Sequence, residues 1–181
     1  MIITKGIAVE ATSVMAREKE KEVKRKFGHG FAKRCKDFIR NPGIGVLKES
    51  RIATKVCRVH AMHDPTEGGL ATGLHELAIA SKKGIIVDRD AIPVFPECRR
   101  LCDYFGINPM GAIASGSLII TVSERDAKRV VSRLERNGIG AYLIGRVVER
   151  RHGVKIFEGG KAKPLPIFER DEITKIYPVR N

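Results

Sequence analysis

Val59-His60-Ala61-Met62-His63-Asp64-Pro65-Thr66-Glu67-Gly68-Gly69-Leu70 reads as the end of a strand, a short loop and the start of a helix. Asp64, Pro65 and Glu67 stand where an N-cap, a first helical residue and the third residue of a capping box belong. Behind them Leu70, Leu74, Leu77 and Ala78 recur at helical spacing, which gives the helix one apolar face. Gly68-Gly69 is the anomaly. Two glycines in a first turn cost about 1 kcal/mol each against alanine, so something requires bare backbone there. One reading is a phosphate or carboxylate site, because a helix start offers unpaired N–H groups and the positive end of its dipole. The other is a tight turn pressed on a neighbouring strand. The pattern leaves both open.

Outward from this stretch, strands alternate with helices. Lys55–Met62 reads as the preceding strand, and the helix behind the glycines runs to Ser81, with Lys82-Lys83-Gly84 as a basic last turn and glycine cap. Ile85–Val87 is a short strand, Glu97–Phe105 a helix, and Ser117–Val122 a strand. Ser123 and Asp126 occupy the cap and third positions of the next helix, which Asn137-Gly138 closes. Tyr142–Glu149 reads as one strand, so that Ser117–Val122, helix and Tyr142–Val148 form a βαβ unit, with Gly153–Phe157 as a hairpin partner. Towards the N-terminus, Ile2-Ile3 starts a strand, Ile7 to about Lys26 a helix, Phe31–Ile39 a second and Ile44–Thr54 a third. A short helix around Asp171–Tyr177 ends the pattern. The expected class is α/β of the α+β type, with a mixed sheet covered by helices. One domain spans residues 1–181: a helical opening region over 1–55, a core sandwich over 56–150, and a hairpin with a short helix over 151–181.

Composition narrows the function. The 43% hydrophobic content builds a core, and with no Trp and 6% aromatics that core is mainly aliphatic. No apolar run reaches the ~18 residues of a membrane span, and the start is too polar for a signal peptide, so a cytoplasmic protein is expected. A net charge of +13 raises nucleic-acid binding as a reading. Against it, bases and acids are interleaved: Glu20–Lys24 and Glu22–Lys26 have the i, i+4 spacing of a solvated helix face, and aromatics to stack bases are few. The absence of Gln beside abundant Lys, Arg and Glu is compatible with a thermophilic source. Cys35, Cys57, Cys98 and Cys102 form no Cys-x2-Cys pair and are expected as reduced, mostly buried thiols.

Chemistry concentrates on two loops. His63 can polarise or protonate a bound group and Asp64 offers a carboxylate for Mg2+ or a hydroxyl, beside the plainer reading of Asp64 as a helix cap. Ala114-Ser115-Gly116-Ser117 offers small residues and hydroxyls at a strand entrance, suited to lining a cleft or to making room for a helix. Cys57-x2-His60-x2-His63 has metal-like spacing, but on a strand His60 points away from the other two, so no metal site is assigned. No Gly-x4-Gly-Lys-Ser/Thr, Gly-x-Gly-x2-Gly or Gly-x-Ser-x-Gly motif is present.

The segment His63-Asp64-Pro65-Thr66-Glu67-Gly68-Gly69-Leu70-Ala71 resembles the Asp-Pro-Thr-Arg-Gly-Gly-Leu-Ala segment of the HypE branch of the aminoimidazole ribonucleotide (AIR) synthase, or PurM-related, superfamily, with Glu67 in place of Arg. Thr4-Lys5-Gly6-Ile7-Ala8, Asp90-Ala91-Ile92-Pro93-Val94, Cys102–Pro109, Ala114–Leu118 and Ile144-Gly145-Arg146-Val147 resemble further segments of that superfamily's C-terminal domain, in order. The resemblance implies an α/β/α sandwich with partial ferredoxin-like topology and an N-terminal ATP-binding domain that is absent from this chain. It implies His63 and Asp64 as catalytic residues, and Thr66, Glu67, Gly68, Gly69, Ser115 and Gly116 as a phosphate or substrate site. ATP and Mg2+ are then held mainly by the absent domain, with a small phosphorylated, amide or carbamoyl substrate and a possible homodimer. It implies no turnover by this domain alone. The sequence ends Tyr177-Pro178-Val179-Arg180-Asn181, without the terminal cysteine that accepts the carbamoyl group in HypE. A non-catalytic binding or assembly module with the same fold is the alternative, and a basic nucleic-acid binder the third reading.

Overall fold

The computed structural model describes residues 1–177. Eight strands divide between two four-stranded sheets. The first contains β1 (Ile2–Thr4), β2 (Ala61–His63), β4 (Ile119–Thr121) and β5 (Ala141–Leu143) in the order β2-β4-β1-β5, all neighbours antiparallel. The second contains β3 (Gly84–Asp88), β6 (Gly145–Val148), β7 (Val154–Glu158) and β8 (Lys161–Pro164) in the order β6-β3-β7-β8, with β3 and β7 parallel. Counting only the first sheet's strands along the chain, their order is second, third, first, fourth. That is the arrangement of two split βαβ units, the ferredoxin-like pattern.

The first sheet is short because both its faces are buried. Ile2 and Ile120 point to one side, where Ala53, Val130, Leu134 and Ala141 from helices α4 (Leu47–Val56) and α7 (Glu124–Glu135) and from β5 cover them. Ile3 and Ile119 point to the other, against Leu70, Leu74 and Ala78 of α5 (Gly69–Ser81) and the apolar side of the second sheet. All four isoleucines are fully buried. Near-continuous apolar triplets are what a strand covered twice requires. A third core joins α1 (Val9–Glu18), α3 (His29–Asp37) and α6 (Pro96–Phe105) through Ala11, Met15, Phe31, Cys35, Cys98 and Leu101. Between α1 and α3 lies α2 (Glu20–Phe27), which buries only Val23.

The structure corrects several expected boundaries. The strand expected over Tyr142–Glu149 changes sheets at Ile144: its N–H donates to Met1 O at 3.1 Å, and its carbonyl accepts from Asp88 N at 2.8 Å. Gly145 makes the switch possible, since a Cβ there would collide with the Ile86 carbonyl. Hence β5 pairs with β1, β6 pairs with β3, and β7 lies beside β3 rather than forming a hairpin with β6. The unit β4-α7-β5 is a βαβ whose strands are separated by β1. The stretch expected as a strand from Lys55 is still helix to Val56, and extended pairing begins only at Ala61. Its β-branched residues suit a strand, but packing of α4 against α7 decides otherwise. The long helix expected from Ile7 breaks at Lys19, which leaves helical geometry (φ −109°, ψ 32°).

The cysteines are all free: Cys35, Cys98 and Cys102 are buried and Cys57 is half-buried. Burial pushes the Cys35 thiol up to about 12. Cys98 and Cys102 lie one helical turn apart with sulfurs 3.8 Å from each other. No helix among the described residues is long and apolar enough to cross a membrane.

Candidate functional site

Because β1 and β2 run parallel with antiparallel β4 between them, three loops emerge at one edge of the first sheet. Lys5-Gly6 follows β1, His63–Thr66 follows β2, and Ala114–Ser117 leads towards β4. Hydrogen bonds join them. The Thr66 carbonyl accepts from Gly69 N at 3.1 Å and from Ala114 N at 3.2 Å, and the Asp64 carboxylate faces the Gly116 N–H. Ser117 Oγ donates to Gly6 O at 2.6 Å. His63, Asp64, Thr66, Ser115 and Gly116, separated by some fifty residues in sequence, thus share one edge.

Each loop is held from behind. His63 Nε2 lies 2.8 Å from the Glu76 carboxylate on α5. Gly73 of α5 lets the loop approach, since a Cβ there would lie 2.8 Å from Pro65 Cβ and 3.0 Å from His63 Cδ2. Lys5 Nζ donates to Gly45 O at 2.6 Å and Gly43 O at 3.0 Å and pairs with Glu49 at 2.7 Å. The Lys5 and Glu49 side chains are 9% and 2% exposed, so this is a buried ion pair with its remaining donors satisfied. Lys5 and Ala8 both adopt left-handed backbone (φ 59° and 56°), a conformation that costs non-glycine residues about 1–2 kcal/mol each. Strain of this kind persists only where the surroundings over-determine it, as the Lys5 contacts do here, and it gathers at functional edges.

Asp64 reaches solvent, yet the surrounding loops raise its pKa above the ordinary 3.8. Burial is the main cause; the nearby His63 and Lys5 charges and the Gly116 N–H oppose it, and Glu10 adds to it.

The glycine pair lies deeper and differs from the expectation. Helix α5 starts at Gly69, with Gly68 as a left-handed N-cap (φ 73°), so Asp64, Pro65 and Glu67 precede the helix and Asp64 does not cap it. Glu67 is exposed and Gly68 and Gly69 are buried. A Cβ on Gly69 would lie 2.6 Å from Met110 O and 2.7 Å from Ala112 O, so close packing on the 110–112 backbone alone demands glycine. Three donors of the turn are matched within the chain. Gly69 N bonds Thr66 O, Ala71 N bonds Met110 O at 2.9 Å, and Gly68 N bonds the Asp171 carboxylate at 2.7 Å.

Lys5, Glu49, Glu76 and Asp171 support these loops; Lys5 lies in a segment that carries the family resemblance, but none of the four was expected as a site residue. Glu49 and Glu76 resemble solvated helix residues, and Asp171 lies 103 positions from the turn it serves. Among the described residues no group of three or more His, Cys, Asp or Glu has metal-binding proximity; Cys57 terminates α4 rather than sharing a strand with His63.

The chain is 34% identical over 121 residues to a putative hydrogenase expression/formation protein of Methanocaldococcus jannaschii, a match that covers 65% of this chain and 36% of that one. The fold is that of Escherichia coli HypE, a hydrogenase maturation protein: TM-score 0.76 at 22% identity, covering 98% of this chain and 52% of that one. A HypE structure in complex with ATP superposes with TM-score 0.68 at 20% identity, covering 95% of this chain and 51% of that one. The chain thus spans about a third of that curated relative and about half of the solved ones. Residues 2–157, which contain both joined loops and both sheets except β8, match the family described as AIR synthase related protein, C-terminal domain, and the chain belongs to that family.

Proposed function

We propose that this chain is the substrate-side half of an ATP-dependent phosphoryl-transfer protein, its sheet edge closing over a nucleotide held by a separate domain. The observation that carries this reading is the joining of the Asp64–Thr66 and Ala114–Gly116 loops, backed by the strained Lys5–Ala8 turn and centred on a carboxyl with a raised pKa. In this reading Asp64 and His63 face the reacting group. Asp64 holds or accepts a proton at its carboxylate, which a raised pKa brings closer to the working range. His63, anchored on Glu76, orients beside it. Thr66, Ser115 and Gly116 supply small, polar walls, and an anionic group reaches the Gly68 N–H only by displacing the Asp171 carboxylate that it bonds. Glu67 sits at the rim, in place of the Arg of the related segment.

ATP supplies the phosphoryl group when bound, and Mg2+ its charge compensation. Neither is assigned ligands on this chain. The relative solved with ATP supports a nucleotide for the family's longer members. The substrate is a small molecule with a carboxylate, amide or phosphate to activate.

The test is hydrolysis by the purified 181-residue chain with ATP and Mg2+. No turnover is expected, because the nucleotide contacts belong to the other domain. Addition of the part of the HypE relative solved with ATP that this chain does not match is expected to bring hydrolysis that Asp64→Asn removes. Turnover by the chain alone, or hydrolysis in the mixture unchanged by Asp64→Asn, overturns the reading.

A further inference from the structure

The helical region α1–α3 carries a charge separation that its sequence conceals. From Arg17 to Arg40 ten Lys or Arg are interleaved with four acids, the pattern of a solvated helix face. Folding sorts them. The break at Lys19 separates α2 from α1, and α3 packs beside both, anchored by Phe31, Ala32 and Cys35. The three helices leave a groove of about 820 Å3. One wall is Arg17, Glu20 and Lys24. The other is His29, Lys33, Lys36 and Arg40, an i, i+4, i+7, i+11 row along α3 and its continuation, with Arg34 and Asp37 beside it.

Six permanent cations thus face two carboxylates across the groove. The other acids are elsewhere: Glu22 accepts from Tyr104 Oη of α6 at 2.9 Å, and Glu18 does not line the groove. Glu20 fixes two of the cations rather than neutralising the whole. Lys24 Nζ at 2.6 Å and Lys36 Nζ at 2.7 Å tie α2 to α3 through it, and these hydrogen bonds push the Glu20 carboxyl down to about 2. Arg17 is set by Ser13 Oγ at 3.1 Å and the Lys36 carbonyl at 3.0 Å. Among the described residues neither Arg17 nor Lys33 has a carboxylate partner, and Arg34 and Arg40 reach theirs only at 3.4 and 3.9 Å. All four of these side chains are exposed.

We infer that this groove docks the sugar–phosphate backbone of duplex DNA without reading its bases. What lines the groove selects the occupant. No apolar side chain does, whereas the centre of a protein–protein interface is apolar and poor in Lys. No aromatic ring is there to stack the bases of a single strand. No neutral hydroxyl or amide side chain is there for the 2′-hydroxyls through which duplex RNA is recognised. What remains is a row of cations about 16 Å long, the length of about five phosphates of one DNA strand. Arg17, Lys33, Arg34 and Arg40, which Glu20 does not hold, then make about four phosphate contacts. The groove shares no residue with the Asp64 edge, so docking there stands or falls apart from the proposed phosphoryl transfer.

The experiment follows the fluorescence anisotropy of a labelled DNA duplex of random sequence as the full chain is added at several salt concentrations. With four contacts, the logarithm of the affinity is expected to fall against the logarithm of salt with a slope of about 3.6, a loss of roughly 150-fold between about 50 and 200 mM. Lys33→Glu combined with Arg40→Glu is expected to lower that slope by about 2 and the affinity at least about ten-fold. Lys128→Glu combined with Arg133→Glu makes the same charge change at exposed positions of α7 and is expected to leave the slope unchanged. Equal losses in the two double variants overturn the groove, since net charge alone then carries the binding. Absence of salt-dependent duplex binding by the unaltered chain overturns it as well. Tighter binding, at equal charge, of single-stranded DNA, duplex RNA or poly-glutamate than of duplex DNA overturns the assignment of the occupant.

Discussion

Helices α5 and α7 begin by different means. At α7 the start is written in adjacent letters: Ser123 is the N-cap residue in extended conformation, Asp126 is the third helical residue, and Ser123 Oγ donates to Asp126 Oδ2 at 2.5 Å without bonding a backbone N–H. Asp126 also pairs with Arg129 one turn on at 3.1 Å. At α5 the cap residue is glycine, and the carboxylate that satisfies it comes from residue 171. A locally capped helix can form before the fold does; a remotely capped one is completed only when the chain's far end arrives. The first device is suited to permanent structure. The second depends on a contact across the whole chain.

The largest effect that sharpens this contrast is expected at Gly69. A Cβ there meets backbone carbonyls of residues 110 and 112, which cannot swing aside, and its φ of 65° disfavours any side chain. Gly69→Ala is expected to lose about 3 kcal/mol or more in denaturant unfolding, from left-handed strain plus displaced backbone. A loss under about 1 kcal/mol would mean that the 110–112 segment yields. Gly69 is therefore a poor probe of anion binding, since altering it disturbs the fold itself, and Asp171 is the better one.

Asp171→Asn comes next. It weakens three hydrogen bonds, from the Gly68, Ile113 and Ile173 N–H groups, without creating a cavity, so a loss of about 2 kcal/mol is expected, on the scale of charged hydrogen bonds. Ser123→Ala, the matching change at α7, is expected to cost about 0.5–1 kcal/mol in the same unfolding experiment, because the hydroxyl bonds Asp126 rather than a backbone N–H. Equal losses at the two caps would erase the distinction between them.

The same contrast separates what the sequence made legible from what it did not. Leu70, Leu74 and Ala78 announced the buried face of α5, and Ser123 and Asp126 the start of α7, because each is a pattern within two helical turns. Gly68-Gly69 was readable as a place needing bare backbone, and the Met110–Ala112 contact is one such need. The sheet partition was not readable, since it depends on a switch at Ile144 and on β1 inserting between β4 and β5. The Asp64 and Ser115–Gly116 loops could be nominated separately and linked through the family resemblance, but only the pairing of β4 with β2 brings them into hydrogen-bond range. Lys5–Glu49 and Asp171 escaped because a lone charged residue gives no sign that it is buried or that it caps a distant turn.

Asp64 offers the smallest effect and the sharpest sign. A carboxylate capping α5 would be stabilised by the helix dipole; its pKa would fall on folding, and its contribution to stability would vanish as pH drops through the carboxylate range. The structure places Asp64 ahead of the helix with its pKa raised, chiefly by burial. The sign then reverses. Below the unfolded value of 3.8 the group is protonated in both states. As pH rises, the unfolded chain releases its proton first, the folded chain holds more protons, and stability falls until the folded pKa is passed. Asp64→Asn removes this penalty. Its melting temperature is expected to match the unaltered chain below the carboxylate range and to exceed it slightly at neutral pH. A variant that is instead less stable at neutral pH and equal in acid would restore Asp64 as a stabilising cap. The predicted order, with a structural gain at neutral pH bought by losing a group that the proposed chemistry requires, is the pattern of a residue kept for function.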